Sequence, residues 1–186
     1  MSKAPASSDT SAAAASPLQA FPPLVRADSR LLILGSMPSV ESLRKQQYYG
    51  HTQNTFWRIL HDLWDQPLPA DYARRTGFLL DHQLALWDVL ASCRRTGSAD
   101  TLIRDGSAND FPAFFQSWPR LRWICFNGQA AARLFDRLVL RPNSAASPAA
   151  LKPGLMVFQL GSTSPAHAVP YASRLQEWRL VRELLK

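Results

Sequence analysis

The chain has 186 residues, 46% of them hydrophobic and 19% charged, a balance typical of one globular domain with a sizeable core. Two cysteines are too few for a disulfide scaffold or a thiolate-rich zinc or iron–sulfur site, so we expect buried free thiols and no metal or cofactor. The net charge of +7 favours an anionic partner such as nucleic acid, although scattered surface arginines explain it equally well.

The N-terminal residues 1–22 are rich in Ala, Ser and Pro and offer little apolar surface to stabilise an ordered structure. They are predicted to be a disordered tail, and residues 23–186 a single domain with residues 21–25 packed against its edge. The tail lacks the basic and apolar regions of a secretory signal, and no stretch of the chain approaches a transmembrane span. We therefore expect a cytoplasmic protein without a membrane partner, and a monomer.

The first predicted element of the domain is a buried strand at Leu31–Leu34, which Gly35 and Pro38 break sharply. A short helix is expected after Ser39, a suitable N-cap residue. The segment 55–65 is predicted to be a second helix because its apolar residues recur at helical spacing.

The middle of the chain continues with a less regular helix at 70–82 and a second buried strand at Leu84–Leu90. Residues 92–100 are predicted to be a polar, basic loop. Phe111–Phe115 is predicted to be part of another helix, which ends at Trp118-Pro119.

The last third alternates again between strand and helix: a strand at 123–126, an alanine-rich helix at 129–138, a strand at 155–160 and an amphipathic helix at 171–185. A Pro/Ser/Ala loop is expected at 141–154. This alternation predicts the α/β class, as a three-layer α/β/α sandwich with a mainly parallel four-stranded central sheet.

Ligands bind open parallel sheets beyond the carboxyl ends of the strands, where this chain has small and polar residues at 35–39, 91–100, 127–128 and 161–168.

Five segments in a fixed order also resemble the uracil-DNA glycosylase superfamily, and most closely its hypoxanthine-DNA (deoxyinosine) glycosylase family. They are Gly35-Ser36-Met37-Pro38-Ser39, Tyr48-Tyr49-Gly50-His51, Asn54-x-Phe56-Trp57, Leu86-Trp87-Asp88-Val89 and Gly161-Ser162-Thr163-Ser164-Pro165-Ala166. The resemblance covers roughly residues 28–183.

The first motif departs from most of the superfamily at its third position, where other branches place an Asp or Asn that serves the attacking water. Met37 cannot do so, and the resemblance therefore implies that Asn54 is the catalytic residue. Its amide can orient a water through the carbonyl and donate through the NH₂ group. On the residues alone, an Asn directly before a helix is better explained as an N-cap, and both roles can hold together.

The resemblance also implies a pocket for an extruded base, in which Tyr49 stacks on the base and Asp88 accepts from a base N–H. The expected pocket residues are Gly35, Ser36, Met37, Pro38, Tyr49 and Asp88. A second loop is expected to press on the DNA backbone and help the base leave, and consists of Ser162, Thr163, Ser164, Pro165, Ala166 and His167. Many relatives begin this motif with His, so the Ser162 of this chain cannot supply that leaving-group help, which His167 is a candidate to replace.

The resemblance implies a DNA repair glycosylase that hydrolyses the N-glycosidic bond of a deaminated base in DNA, with hypoxanthine favoured and uracil or xanthine open. It implies a monofunctional enzyme without a Schiff-base lysine and without a cofactor. Candidate phosphate contacts are Lys45, Arg94, Arg95 and Arg174, although each taken alone is better explained as an ordinary surface charge. Two alternatives stay open: a mismatch-type uracil-DNA glycosylase, and a non-catalytic nucleic-acid-binding module with the same fold.

Overall fold

The computed structural model describes residues 17–141 and 151–186. Its elements in chain order are β1 (Leu18–Gln19), β2 (Leu31–Gly35), α1 (Val40–Lys45), α2 (Phe56–Asp62), α3 (Tyr72–Asp81), β3 (Leu84–Asp88), β4 (Leu90–Arg94), a 3₁₀ turn (Asp100–Leu102), β5 (Arg104–Ala108), α4 (Phe111–Ser117), β6 (Trp123–Asn127), α5 (Gln129–Phe135), a π-helical turn (Asp136–Leu140), β7 (Met156–Leu160) and α6 (Tyr171–Glu183). None of the described helices is both long and apolar enough to cross a membrane.

The central sheet has four parallel strands, as the sequence predicts, and the structure shows their order to be β3-β2-β6-β7. Each strand of this sheet is an apolar run, and the three strands β2, β3 and β6 are almost entirely buried. Parallel strands that are buried on both faces need such apolar runs rather than a polar–apolar alternation. Their shared direction brings all four carboxyl ends to one edge of the sheet.

Helices cover both faces of this sheet and complete the three layers. Leu32 and Leu34 of β2 point to the face packed against α4 and α5. Leu31 and Ile33 point to the opposite face, which α2, α3 and α6 cover. The alternation follows from the period-two geometry of a strand, and it divides the core into two apolar layers.

A second sheet, which the sequence analysis did not predict, lies beside the first. It is antiparallel and has the order β1-β4-β5. The predicted strand Leu84–Leu90 is therefore wrong at its end: β3 stops at Asp88, and Leu90 begins β4, which pairs in the other sheet. The predicted basic loop 92–100 is likewise shorter, since its first residues belong to β4.

The N-terminal boundary also differs from the prediction. Residues 1–16 of the predicted disordered tail lie outside the described residues, but Leu18 and Gln19 form β1 by pairing with Cys93 and Ser92. Leu24 then pairs with Leu86 through two backbone hydrogen bonds of 2.9 and 2.8 Å, which confirms that residues 21–25 pack on the edge of the domain. Backbone pairing thus orders a stretch whose composition alone predicts disorder.

The remaining predicted elements agree with the structure within a few residues at their ends. Ser39 caps α1 by accepting from the backbone N–H of Ser42, as predicted. The predicted helix 129–138 is α5 together with the first residues of the π-helical turn. Most of the predicted loop 141–154 lies outside the described residues. Cys93 and Cys125 are free and buried, as expected.

Trp178 of α6 generates a prediction about stability. The side chain is fully buried, its ring meets Phe56 edge to face at 5.8 Å, and its indole N–H donates to the Gly161 carbonyl at 2.9 Å. We expect Trp178→Ala to lower the free energy of unfolding by about 3–5 kcal/mol, because it leaves a large cavity. Urea unfolding measures this loss, and Leu68→Ala, at a side chain 42% exposed, is the control that should change little.

Candidate functional site

A cavity of about 110 Å³ lies at the carboxyl edge of the central sheet, where β2, β3 and β6 end. Its walls come from the loop after β2, the segment between α1 and α2, the turn before β5 and the loop after β7. The lining residues are Gly35, Ser36, Met37, Pro38, Ser39, Ser42, Tyr48, Tyr49, Asn54, Asp88, Ser98, Asp100, Asn127, Ser162, Thr163 and Ser164. This is the position at which open parallel sheets bind ligands.

The floor of the cavity is the pair formed by Gly35 and Asp88. These residues face each other in the register of β2 and β3. A Cβ atom on Gly35 would lie 2.4 Å from Asp88 Oδ1 and 3.1 Å from the Tyr49 hydroxyl oxygen. The absence of a side chain at Gly35 therefore makes the space in which the Asp88 carboxyl and the Tyr49 hydroxyl lie close together.

The Asp88 carboxyl is the most perturbed acid of the site. Asp88 is only 4% exposed, and its Oδ2 has no hydrogen-bond partner among the described residues. Burial, followed by the negative charge of Asp100, raises the pKa of Asp88 to about 7, while the Arg95 guanidinium opposes this shift. Near neutral pH this carboxyl can thus gain or lose a proton.

Tyr49 forms a wall of the cavity with its ring. The ring stacks on Phe56 with centroids 4.0 Å apart and planes inclined by 26°, so Phe56 occupies one of its faces. Its backbone is in the left-handed region, with φ of 52°, a conformation that a tyrosine adopts only when its surroundings impose it. Burial and the charge of Asp88 both raise the pKa of its hydroxyl, which is neutral at physiological pH.

Asn54 lies in the same wall, two residues before α2. Its Oδ1 accepts from the backbone N–H of Phe56 at 2.9 Å, and its own backbone N–H donates to the His51 carbonyl at 2.9 Å. The side chain therefore does satisfy the start of the helix, although Thr55 is the N-cap residue. Its NH₂ group makes no hydrogen bond within residues 17–141 and 151–186, which leaves it available to the cavity.

The loop after β7 is held to the end of β6 by a reciprocal pair of hydrogen bonds. The side-chain NH₂ group of Asn127 donates to Thr163 Oγ1 at 2.8 Å, and the side-chain Oδ1 of Asn127 accepts from the Thr163 backbone N–H at 2.8 Å. Gly128 has φ of 95°, and a Cβ atom there would lie 2.9 Å from the Cβ of Ser162. Only glycine allows this close approach, so the Asn127-Gly128 pair sets the position of the loop.

Most of the site residues proposed from the sequence come together in this cavity. It brings Gly35, Ser36, Met37, Pro38, Tyr49, Asn54 and Asp88 together with Ser162, Thr163 and Ser164. The exposed residues Pro165, Ala166 and His167 do not line it and lie farther along the loop. Thr163 is fully buried, so it anchors the loop and is not free to press on a DNA backbone.

The sequence analysis placed Asp100 and Asn127 in loops at the ligand-binding edge of the sheet but did not name them as site residues, and both line the cavity. Asp100 Oδ1 accepts from the Ser36 hydroxyl at 2.6 Å, and Ser98 Oγ accepts from the Val40 backbone N–H at 3.0 Å. These bonds fold the turn before β5 over the loop after β2. The signal for Asp100 was weak, because it closes a polar segment that resembles an ordinary loop; Asn127, by contrast, follows a predicted strand directly.

Two of the four expected phosphate contacts are buried, which corrects that expectation. The Arg95 side chain is fully buried and donates to the Pro38 carbonyl. Arg174 is 5% exposed and donates to Thr55 Oγ1 at 2.9 Å. Both guanidinium groups are used inside the protein, because the loops of the site fold over them. Arg94 is exposed and lies 3.8 Å from Asp105.

Lys45, the fourth expected contact, lines a wider groove of about 840 Å³ beside the cavity. Tyr49 and Asn54 line both spaces, so the groove opens directly from the cavity. It contains no acidic lining residue among those described and four cationic ones, namely Arg44, Lys45, Arg58 and Arg75. Within the described part of the chain, no group of three or more His, Cys, Asp or Glu residues is arranged to hold a metal ion.

Comparison with known proteins agrees with this geometry. Residues 22–186 match the family model of the uracil DNA glycosylase superfamily. A solution NMR structure from Methanosarcina acetivorans, provisionally described as a uracil DNA glycosylase, aligns with a TM-score of 0.74 and 34% identity over 91% of this chain and 99% of that one.

Two curated relatives carry the name hypoxanthine DNA glycosylase. The protein from M. acetivorans is 42% identical over 112 residues, which are 60% of this chain and 71% of the relative. The protein from Methanosarcina barkeri is 34% identical over 143 residues, or 72% and 90% of the two chains. The match to the family model covers most of the chain, and this chain therefore belongs to the uracil DNA glycosylase superfamily.

Proposed function

We propose that this chain is a DNA repair glycosylase that hydrolyses the N-glycosidic bond of hypoxanthine flipped out of DNA, leaving the free base and an abasic site. The observation that carries the proposal is the placement of the Asn54 amide in one cavity with the Asp88 carboxyl and the Tyr49 ring. Two relatives named hypoxanthine DNA glycosylase support the choice of base. We further propose that the enzyme acts in the cytoplasm as a monomer.

The lining of the cavity supports a monofunctional mechanism. Bifunctional glycosylases need an amine that forms a Schiff base with the sugar, and no lysine is among the described residues that line the cavity. Hydrolysis by an oriented water needs no such amine. In this proposal the products are the free base and an abasic site in an uncut strand.

A duplex with one deoxyinosine tests this function directly. We expect strand cleavage only after alkali treatment, because alkali breaks the strand at the abasic site that excision leaves. Cleavage without alkali would contradict the monofunctional assignment, and no cleavage with any deaminated base would leave only DNA binding. Matched duplexes with uracil and xanthine in the same position rank the accepted bases.

Two groups of the cavity, Tyr49 and Asp88, bind the base in this proposal. The Tyr49 ring lines the cavity, and in this proposal its face opposite Phe56 stacks on the flipped base. The Asp88 carboxylate accepts from the ring N–H that deamination creates on hypoxanthine. Adenine has a lone pair at the same atom, which a carboxylate repels, so Asp88 also accounts for rejection of the normal base.

Asn54 orients the attacking water in this proposal. Its Oδ1 is held by the Phe56 N–H and keeps a second lone pair for a water, and its NH₂ group is unused. A neutral amide is a weak base, but bond cleavage passes through an oxocarbenium-like sugar that needs little nucleophilic help. The helix start thus fixes the amide, and capping and catalysis are compatible roles of one side chain.

The first prediction from this site is that Asn54→Ser folds normally but excises hypoxanthine about a hundredfold more slowly or worse. Serine can replace the helix-start hydrogen bond, so the melting temperature should stay close to that of the parent. Its shorter side chain cannot hold the water in line, and losing one preorganised polar group has an effect of about this size. Single-turnover assays on deoxyinosine DNA measure the rate. Near-parental excision by well-folded Asn54→Ser would refute the catalytic assignment.

The second prediction concerns pH. Because Asp88 must be ionised to accept from the base N–H and its pKa is raised to about 7, single-turnover excision should increase as the pH rises through 7. Asp88→Asn has no such ionisation and should lose this step from its pH profile. A parental profile that is flat between pH 6 and 8 would remove Asp88 from base recognition.

The raised pKa of Asp88 also makes the free energy of unfolding depend on pH. The folded state holds the Asp88 proton up to about pH 7, whereas an unfolded aspartate loses it near pH 4. Between these values the folded state binds more protons, so the contribution of Asp88 to stability falls with rising pH, by up to about 1.4 kcal/mol per pH unit. Asp88→Asn should therefore gain stability relative to the parent between pH 5 and 7 in urea unfolding.

A further inference from the structure

Two arginines of α6 donate hydrogen bonds to residues at the two ends of α2. Arg182 donates to the Leu63 carbonyl at 2.8 Å, next to the C-terminus of α2. Arg174 donates to Thr55 Oγ1 at 2.9 Å, at its N-terminus. The two contacts are similar in kind, but only the Arg174 contact lies beside Asn54.

The two arginines differ sharply in their surroundings. The Arg182 side chain is 45% exposed and lies 3.6 Å from the Asp65 carboxylate. Arg174 is 5% exposed, and no carboxylate of the described residues lies within ion-pair distance of it. Its Nε is buried without a hydrogen-bond acceptor. Burying an unpaired guanidinium is costly, so stability alone is a poor explanation for Arg174.

The hydrogen bonds of Arg174 connect two segments that carry cavity residues, namely the segment before α2 and the loop after β7. Its Nη2 donates to the His167 carbonyl at 2.6 Å and to the Val169 carbonyl at 3.4 Å, which holds the far end of the loop after β7. Its Nη1 donates to the hydroxyl of Thr55, and that hydroxyl and the Thr55 backbone N–H donate in turn to the Thr163 carbonyl at 3.3 and 3.1 Å. The guanidinium thus joins the loop to the residue that directly follows Asn54.

We propose that Arg174 is a positioning residue for base excision, which fixes Asn54 relative to the loop Ser162–His167 by holding Thr55 and the loop carbonyls together. This inference rests on the proposed role of Asn54. Arg174 does not touch the substrate in this arrangement and acts through Thr55. Small displacements of a positioned group are enough to slow a reaction strongly, and a planar guanidinium with several donors is suited to fix two segments at once.

The test compares Arg174→Met with Arg182→Met, because each removes one arginine contact between α6 and α2. Three quantities are measured for each variant: the melting temperature, the Kd for deoxyinosine DNA and the single-turnover excision rate with saturating enzyme. We expect the excision rate of Arg174→Met to be lower than that of the parent by about tenfold or more, while its Kd for deoxyinosine DNA changes little. Arg182→Met should excise at the parental rate. Arg174→Lys should recover part of the rate, since an ammonium group can reach one of the partners but not all.

A double-mutant cycle with Thr55→Val separates positioning from a general loss of packing. If Arg174 acts through Thr55, Arg174→Met combined with Thr55→Val should be little slower than Arg174→Met alone. Fully additive effects, a parental rate for Arg174→Met, or equal slowing of the two arginine variants would each overturn the inference. If Arg174→Met does not fold, Thr55→Val alone decides, because a parental rate in that variant contradicts the proposal.

The Asn54→Ser protein in the same assay keeps the two proposals apart. Slow Asn54→Ser beside fast Arg174→Met overturns the positioning role of Arg174 and leaves the proposed function intact. Fast Asn54→Ser overturns the catalytic assignment, and the role of Arg174 falls with it.

Discussion

The pairing of Gly35 with Asp88 across two parallel strands is the constraint on which the site depends. Both residues stand at the carboxyl ends of their strands, and the missing Cβ of Gly35 leaves the space that the Asp88 carboxyl occupies. Any larger residue at Gly35 would push this carboxyl away from the Tyr49 hydroxyl. The chemistry of the cavity is therefore set first by a backbone register and only then by the polar side chains.

The polar groups of the cavity are stabilised by the apolar layers beneath them. Tyr49 is held by Phe56, and Phe56 in turn contacts Trp178, so the wall of the site continues into the core between α2, α6 and the sheet. This packing gives a reason for the left-handed backbone of Tyr49, which isolated tyrosine avoids. Burial of an aspartate with a raised pKa likewise lowers the stability of the folded state. Destabilising features of this kind are concentrated at functional sites.

Hydrogen bonds between loops give the site its shape, and they reassign several charged residues. The sequence alone makes Arg95 and Arg174 candidate phosphate contacts. In the structure, both side chains instead donate to loop carbonyls inside the protein. Beside the cavity, four cationic residues line the groove, namely Arg44, Lys45, Arg58 and Arg75. Arg44 and Lys45 share the Glu41 carboxylate, and Arg58 lies 3.7 Å from that of Asp62. This groove opens from the cavity at Asn54 and Tyr49, and a DNA strand that presents a flipped base needs such a neighbouring surface.

The sequence by itself determined the four parallel strands, the main helices and most of the cavity, because apolar runs, helical periodicity and ordered motifs are local signals. It could not reveal the second sheet: Leu84–Leu90 is one apolar run, and β5 has no β-branched or aromatic residue to mark it. Nor could it reveal Asp100 as a neighbour of Ser36, or the burial of Arg174. Burial and pairing between distant segments depend on how the loops fold over the sheet edge, and only the tertiary structure decides that.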